Sequence, residues 1–241
     1  MPSDAFPGRQ SCLEQGGKMS GLIKADFHVH SIASWDSLSK GEDLYRRAKE
    51  IGLGKLIFTD HNSIAEGVRL QKMDPDFVIV GEEILTAKAE ILAIFVKEEI
   101  PKDIEPLEVF RRLRDQGAFI SLSHPYAPLR FRWTEAEMEE YLPFLDAVEI
   151  AKARSTPGMN RSAMKFAAEH GLCGTAGSDA HGVPELGAMG LELPDFHTPD
   201  ELREALKSAS VFGKESPFLV RKYSRGAVFR KALDRKFGAG I

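Results

Sequence analysis

The chain has 241 residues, with 32 Lys and Arg against 36 Asp and Glu and a formal net charge of −4. That length allows one large or two small domains and a core that needs no disulfide staples. Apolar residues at 43% and charged residues at 28% argue against a disordered or fibrous chain, the slightly acidic balance against a protein that wraps nucleic acid over its whole surface, and the lack of a long apolar run against a transmembrane helix.

Residues 1–18 are rich in Gly, Pro, Ser and Gln, show no period and lack the basic-then-apolar order of a signal peptide. They read as a mobile arm or a non-native start, with the cytoplasm as the default location. Cys12 and Cys173 lie far apart, which points to a reducing compartment and no cysteine-based metal site. From Leu22 onward, strand and helix patterns alternate. Leu22–Phe27 is an apolar run ending at a histidine pair. Glu42–Ile51 has helical spacing with Gly52 as its stop, and Lys55–Thr59 is a buried strand. Ser63 and Glu66 predict a capping box over a helix at Ile64–Met73. Phe77–Val80, Ile84–Leu85 and Ile91–Val96 are strand-like, Pro106–Gln116 is a helix stopped by Gly117, and Ala118–Leu122 is a strand. Helices follow at Thr134–Leu142, Met159–His170 and Pro199–Ser208, with strands at Ala147–Ile150, Leu172–Ala176 and Met189–Leu193.

About seven β/α units of this kind imply parallel strands with crossover helices, in a barrel or a doubly wound sheet. The polar residues decide between them. His28 and His30, Asp60 and His61, Glu83, His124, and Asp179 and His181 all come just after predicted strands. A closed barrel gathers such ends at one face, whereas an open sheet spreads them. A barrel is therefore expected.

His28-Val29-His30 on an extended segment points both imidazoles to one side, and Asp179-Ala180-His181 repeats the geometry with a carboxylate. Mixed imidazole and carboxylate donors suit Zn, Mn or Fe. A carboxylate such as Glu83 can bridge two cations at the spacing that polarises a phosphoryl group. His170 at a helix C-terminus and His197 in a loop are structural or exposed on the simplest reading. Trp35, beside Asp36, is a packing residue or a pocket wall.

In chain order, HVHS (28–31), TDHN (59–62), GEEI (81–84), SHPY (123–126) and GSDAH (177–181) resemble the motifs of the polymerase-and-histidinol-phosphatase (PHP) family of metal-dependent phosphoesterases. The similarity spans about residues 22–195. It implies a distorted seven-stranded (β/α)7 barrel over residues 19–213, with 214–241 as a basic C-terminal extension. It also implies two or three divalent metal ions (Zn, Mn or Fe). By matched position His28, His30, Glu83 and Asp179 would hold one, Glu83 and His124 a second, and Asp36, His61 and His181 a third. Glu83 is preferred to Glu82 by the Gly-x-Glu-Ile pattern. Glu90 stands about where some members carry a further histidine.

The reaction implied is hydrolysis of a phosphomonoester or phosphodiester of a small metabolite, nucleotide or short oligonucleotide by a metal-activated water. His181 or Asp60 would manage protons, with orientation of a ligand ring as the alternative role for Asp60 and for Asp26. Arg154, Lys152 and Arg130, with Arg132, are candidates to hold phosphate, because guanidinium groups suit bidentate contacts. The C-terminal Arg221, Lys222, Arg225, Arg230, Lys231, Arg235 and Lys236 read either as a polyphosphate- or RNA-binding tail or as the wet face of a helix docked through Phe229, Leu233 and Phe237. The expected partner is a phosphorylated small molecule or short nucleic acid, with no membrane. Histidinol-phosphate phosphatase, a metal-dependent amidohydrolase and a non-catalytic metal-binding module are the alternatives.

Overall fold

The computed structural model describes residues 21–127 and 132–237. The reading of residues 1–18 and the candidate Arg130 fall outside them. Nine strands form one sheet: β1 (Leu22–Val29), β2 (Lys55–Phe58), β3 (Val78–Leu85), β4 (Glu90–Ile94), β5 (Phe119–Leu122), β6 (Ala147–Lys152), β7 (Cys173–Gly177), β8 (Met189–Pro194) and β9 (Ser210–Gly213). Their order is β7-β6-β5-β4-β3-β2-β1-β8-β9. The sheet curls until β7 returns beside β1. There Val29 bridges Ala180, and the His30 N–H donates to the Ala180 carbonyl at 2.9 Å. The barrel is thus nearly closed by the first seven strands. The expected strand count is corrected to nine, because β8 and β9 continue antiparallel from the outer edge of β1.

Helices α1 (Gly41–Glu50), α2 (Ala65–Gln71), α3 (Pro106–Gln116), α4 (Glu135–Tyr141), α5 (Pro157–Glu169) and α6 (Pro199–Leu206) occupy the crossovers and the segment after β8. Thr134 and Thr198 cap α4 and α6, and Gly117 takes the left-handed conformation that stops α3. The capping box expected at Ser63 does not form. The Glu66 carboxylate instead accepts from the Gly41 N–H at 3.0 Å and pairs with Arg69.

Parallel order also breaks at one place, because β4 runs against both β3 and β5. Gly81 lets β3 change partners in mid-strand: Val78–Val80 pair with β2, and Gly81–Leu85 pair with β4. A Cβ at Gly81 would lie 2.7 Å from the Ala93 carbonyl oxygen and 2.9 Å from that of Phe58. Thr86 then closes the tight turn through its hydroxyl to Ala89.

In β1 the register slips against β2 between Asp26 and Val29. Ala25 and Phe27 pack with Ile57, Ile79 and Phe119, whereas Val29 packs with Leu56, Phe58 and Leu44 under the helices. His28 and His30 are fully buried on the opposite side, at the barrel end.

The C-terminal helix α7 (Lys222–Phe237) is present, but its apolar stripe does not face the barrel. Phe229 is 67% exposed and Leu233 36%, while Ala227 is buried. The helix is held instead by the Tyr223 ring lying on Gly182 and by the Lys231 ammonium, which donates to the Ile32 and Ser34 carbonyls at 2.6 Å each. Small and polar contacts won over the i, i+4 stripe because the surface they meet is a polar loop.

Barrel closure makes a testable demand on Gly177. A Cβ there would lie 2.4 Å from the His28 Cβ and 2.6 Å from its nitrogen. Gly177→Ala should therefore cost about 1–3 kcal/mol, read as a drop in Tm. Gly226→Ala has nothing within 4 Å and should leave Tm unchanged or raise it.

Candidate metal centre

Apart from Asp36, the residues of the cluster come from strands or strand ends at one face of the barrel. His28 and His30 end β1, His61 follows β2, Glu83 and Glu90 lie on β3 and β4, His124 follows β5, and Asp179 and His181 follow β7. Asp36 reaches in from the loop after β1. His124 (φ 24°) and Asp179 (φ 54°) take left-handed backbone conformations that β-branched or bulky residues rarely hold. Both turn sharply off their strands, and strain of this kind concentrates at functional sites.

Glu83 is the centre. Its Oε2 lies 3.2 Å from His28 Nε2, 3.4 Å from His30 Nε2 and 3.1 Å from His61 Nδ1. Its Oε1 lies 3.0 Å from His124 Nε2 and accepts the Ser123 hydroxyl at 2.6 Å. Asp179 Oδ1 is 3.2 Å from His30 Nε2 and 3.7 Å from His28 Nε2. Asp36 Oδ2 is 2.8 Å from His181 Nε2, and its Oδ1 is 3.6 Å from His61 Nε2. Glu90 reaches His124 at 3.3 Å and His61 at 3.7 Å. All eight expected ligand positions are thus brought together, and Glu90 joins them. His61 stands between the second and third implied groups rather than with the third alone.

The outward ring nitrogens fix what the inward ones offer. His28 Nδ1 meets Glu149 Oε1 at 2.7 Å. Ser34 gives its one hydroxyl proton to Asp60 at 2.7 Å, so its oxygen accepts from His30 Nδ1 at 3.0 Å. His181 Nδ1 meets the Asp179 carbonyl at 2.9 Å. Three rings therefore donate outward and turn their Nε2 lone pairs toward carboxylates. His28 Nε2, His30 Nε2 and Asp36 Oδ1 are buried without a hydrogen-bond partner. Acceptors facing acceptors in a buried site call for cations between them. Among the described residues, the ligand atoms of His28, His30 and Glu83, of His61, Glu83 and Glu90, and of His30, His61 and His181 each lie within 4.8 Å of one another. The donor set fits divalent metals.

Burial opposes charge on the imidazoles, yet Glu83, with Glu149 and Asp179, holds His28 well above the usual imidazole range, and Glu83 and Asp36 bring His61 up to about 10, so positive charge is favoured among these carboxylates. Burial, with the neighbouring His181 and His61, pushes His30 down to about 3, which keeps it neutral and available as a ligand. Burial opposes ionisation of Asp179, but Lys152 and the imidazoles outweigh it and hold the carboxyl well below the usual range.

Asp60 faces away from the cluster opening. Its oxygens accept from the Ser31 N–H and hydroxyl and from Ser34, so it positions His30 through Ser34 and has no place at the reacting atoms. Asp26 touches no ligand ring. It accepts from the N–H groups of Ser178, Gly187 and His28 and ties β1 to the loop after β7. Lys152 Nζ lies 2.9 Å from Asp179 Oδ2. Arg154 is held by Glu185 through two contacts of 2.8 and 3.0 Å, so its guanidinium is less free for phosphate than its loop position implied. Arg132 is exposed, and neither His170 nor His197 reaches the cluster. Trp35 is 55% exposed with its ring 5.6 Å from that of His61.

Glu149 was not singled out in the sequence, yet it orients His28 and also accepts from the His124 N–H at 2.8 Å. Its signal was a charged residue at the centre of the apolar strand Ala147–Ile150.

Residues 26–110 match the PHP domain family and residues 157–211 the PHP-associated family. The uncharacterized protein MJ0417 of Methanocaldococcus jannaschii is 33% identical over 197 residues, 77% of this chain and 79% of that protein. A two-domain protein of Bacteroides vulgatus with a predicted PHP-like metal-dependent phosphoesterase aligns at a TM-score of 0.67 and 20% identity, over 87% of this chain and 70% of that one. The lesion-specific endonuclease Q of Pyrococcus furiosus aligns at 0.56 and 18%, over 79% of this chain and 57% of that one.

Two expectations test the centre. Glu149→Gln should weaken metal binding by about 10–100-fold in chelator competition, because the acceptor that orients His28 loses its charge. Glu82, buried on the other side of β3, is pushed up from 4.5 to about 8, chiefly by burial. Its carboxyl stays protonated in the fold while the unfolded chain releases the proton, so it costs stability as pH rises between those values. Glu82→Gln should match the parent protein near pH 4.5 and exceed it by roughly 3 kcal/mol near pH 8 in urea melts, with metal content unchanged.

Proposed function

The chain belongs to the PHP family, and on that premise we propose that it is a metal-dependent phosphoesterase acting on a phosphomonoester or phosphodiester of a small metabolite, nucleotide or short oligonucleotide. The observation that carries this reading is the division of Glu83, one oxygen toward His28, His30 and His61 and the other toward His124. That division suits two neighbouring divalent cations, of the Zn, Mn or Fe class, flanked by Asp179 on one side and Glu90 on the other. Asp36, His61 and His181 would hold a third.

Such cations, when bound, supply an acidified water and neutralise charge on the phosphoryl oxygens. The chain's own groups do the rest. Glu149, Ser34 and the Asp179 carbonyl keep three rings in one tautomer, so the ligand atoms need no reorganisation when substrate arrives. Lys152 Nζ, beside Asp179, is placed to meet a phosphate oxygen. Burial alone would lower its pKa, but Asp179, Glu149 and Glu83 outweigh burial and keep the ammonium charged. His181 Nε2, facing Asp36 at 2.8 Å, can hold the proton destined for the leaving oxygen when only two cations are present. The exposed Trp35 ring would wall the opening.

The test is phosphate release from a panel that includes histidinol phosphate, 3′,5′-bisphosphonucleotides and short oligonucleotides, with Mn-, Zn- and Fe-loaded protein. We expect turnover of at least one member, and its loss in a His28→Ala/Asp179→Ala variant. Hydrolysis of cyclic amides with no phosphate release would move the reading to an amidohydrolase. Stoichiometric metal with no turnover of either class would leave a binding module.

A further inference from the structure

A cavity of about 440 Å³ opens beside the centre, against Asp179 and Lys152. Phe218, Arg221, Ser224 and Arg225 of the C-terminal segment line it together with Arg154 and Met159, which follow β6. The basic residues around it differ in how their charge is balanced. Lys152 is matched by Asp179 at 2.9 Å and Arg154 by Glu185 at 2.8 Å. Arg221 lies over the Phe218 ring at 4.7 Å and touches the Arg154 carbonyl, and neither it nor Arg225 pairs with a carboxylate among the described residues. Two unbalanced guanidinium groups therefore face a cavity that Asp179, a member of the metal cluster, also lines.

Their placement is built. Arg154, gripped by Glu185, reaches across to the Ser224 hydroxyl at 3.2 Å and the Val220 carbonyl at 3.4 Å. Tyr223 sits on Gly182, one residue beyond His181, and Lys231 binds the carbonyls of Ile32 and Ser34, in the loop that carries Asp36. A tail that merely solvated the surface would need none of these anchors. Arg154 thus serves as the bracket that seats the segment, while the open charge is carried by Arg221 and Arg225.

We infer that the C-terminal segment completes the active-site pocket, and that Arg221 and Arg225 bind a second phosphate of the substrate, separate from the one attacked. Forked guanidinium groups match phosphate oxygens in a bidentate way, and a dianion balances two unmatched charges. Apolar Phe218 and Met159 line the space between and suit the organic part of such an ester. This rests on the phosphoesterase reading above and narrows its substrate to esters carrying two phosphates.

The test compares compounds that differ by one phosphate: adenosine 5′-monophosphate with adenosine 3′,5′-bisphosphate, and ribose 5-phosphate with ribose 1,5-bisphosphate. Calorimetry on the full chain without added metal reads binding where no turnover intrudes, and KM after Mn loading reads the same preference in the working protein. The bisphosphate of at least one pair should bind about tenfold or more tightly. Arg221→Ala/Arg225→Ala should bring that pair together, and Arg225→Glu should reverse its order. Lys72→Ala/Lys102→Ala, which removes two exposed charges elsewhere, should keep the gap. A gap that survives in Arg221→Ala/Arg225→Ala, or no gap in the parent protein, would overturn the inference. If the gap behaves as expected but no ester is hydrolysed, the second-phosphate site stands and the phosphoesterase reading falls.

Discussion

Buried lone pairs converge on Glu83, and much of the barrel end is arranged around that fact. Imidazole nitrogens and carboxylate oxygens face one another at 3.0–3.4 Å with no donor between them on the His28 and His30 side. Left alone, such a group repels itself and loses its hydration. The surroundings make it coherent. Glu149 and Ser34 each accept a hydrogen bond from the back of a ring, and Asp60 accepts the one that Ser34 donates. Lys152 offsets one unit of the negative charge at Asp179. Glu149, Ser34, Asp60 and Lys152 thus form a network around the lone pairs of the cluster.

That network explains why catalytic and positioning roles separate as they do. Asp60 is adjacent in sequence to His61, yet its hydrogen bonds commit it to the loop behind His30. Arg154 follows a strand whose end faces the cavity, yet Glu185 and the C-terminal segment claim its donors. In both cases chain position placed the residue near the site and the local partners decided its task.

Much of this was legible in the sequence because ligand geometry follows strand periodicity. His28 and His30 share a side, Asp179 and His181 share another, and apolar runs before each marked the strand ends that a barrel gathers. What stayed hidden depended on pairings that no local pattern carries. The apolar run Ile91–Val96 marked a strand but not its direction. The turn Thr86–Ala89 that reverses it lacks Gly and Pro and is held by a threonine hydroxyl. Glu149 was masked by its apolar neighbours. The spacing of Phe229 and Leu233 correctly implied a helix but not the face it buries, since the contacts that seat it join Tyr223 to a glycine and Lys231 to distant carbonyls. Two arginine–carboxylate contacts, Arg154 with Glu185 and Arg114 with Asp146, join residues about thirty apart and were equally invisible.

The strand order carries a kinetic consequence. From β1 to β7 each strand lies beside its neighbour in sequence, so every pairing up to β7 closes a short loop. The exceptions are the pairing of β8 with β1, across about 170 residues, and the seam where Val29 meets Ala180 and Gly177 presses on His28, which joins segments about 150 residues apart. Non-local contacts of that kind form late in folding. His28 and His30 lie on one side of the seam and Asp179 and His181 on the other, so a chain halted before this step has helices, strands and a partial core but a ligand set split in two. A cation that binds the finished ring and not its precursor draws the population forward by mass action, and metal supply becomes a determinant of how much of the chain completes its folding.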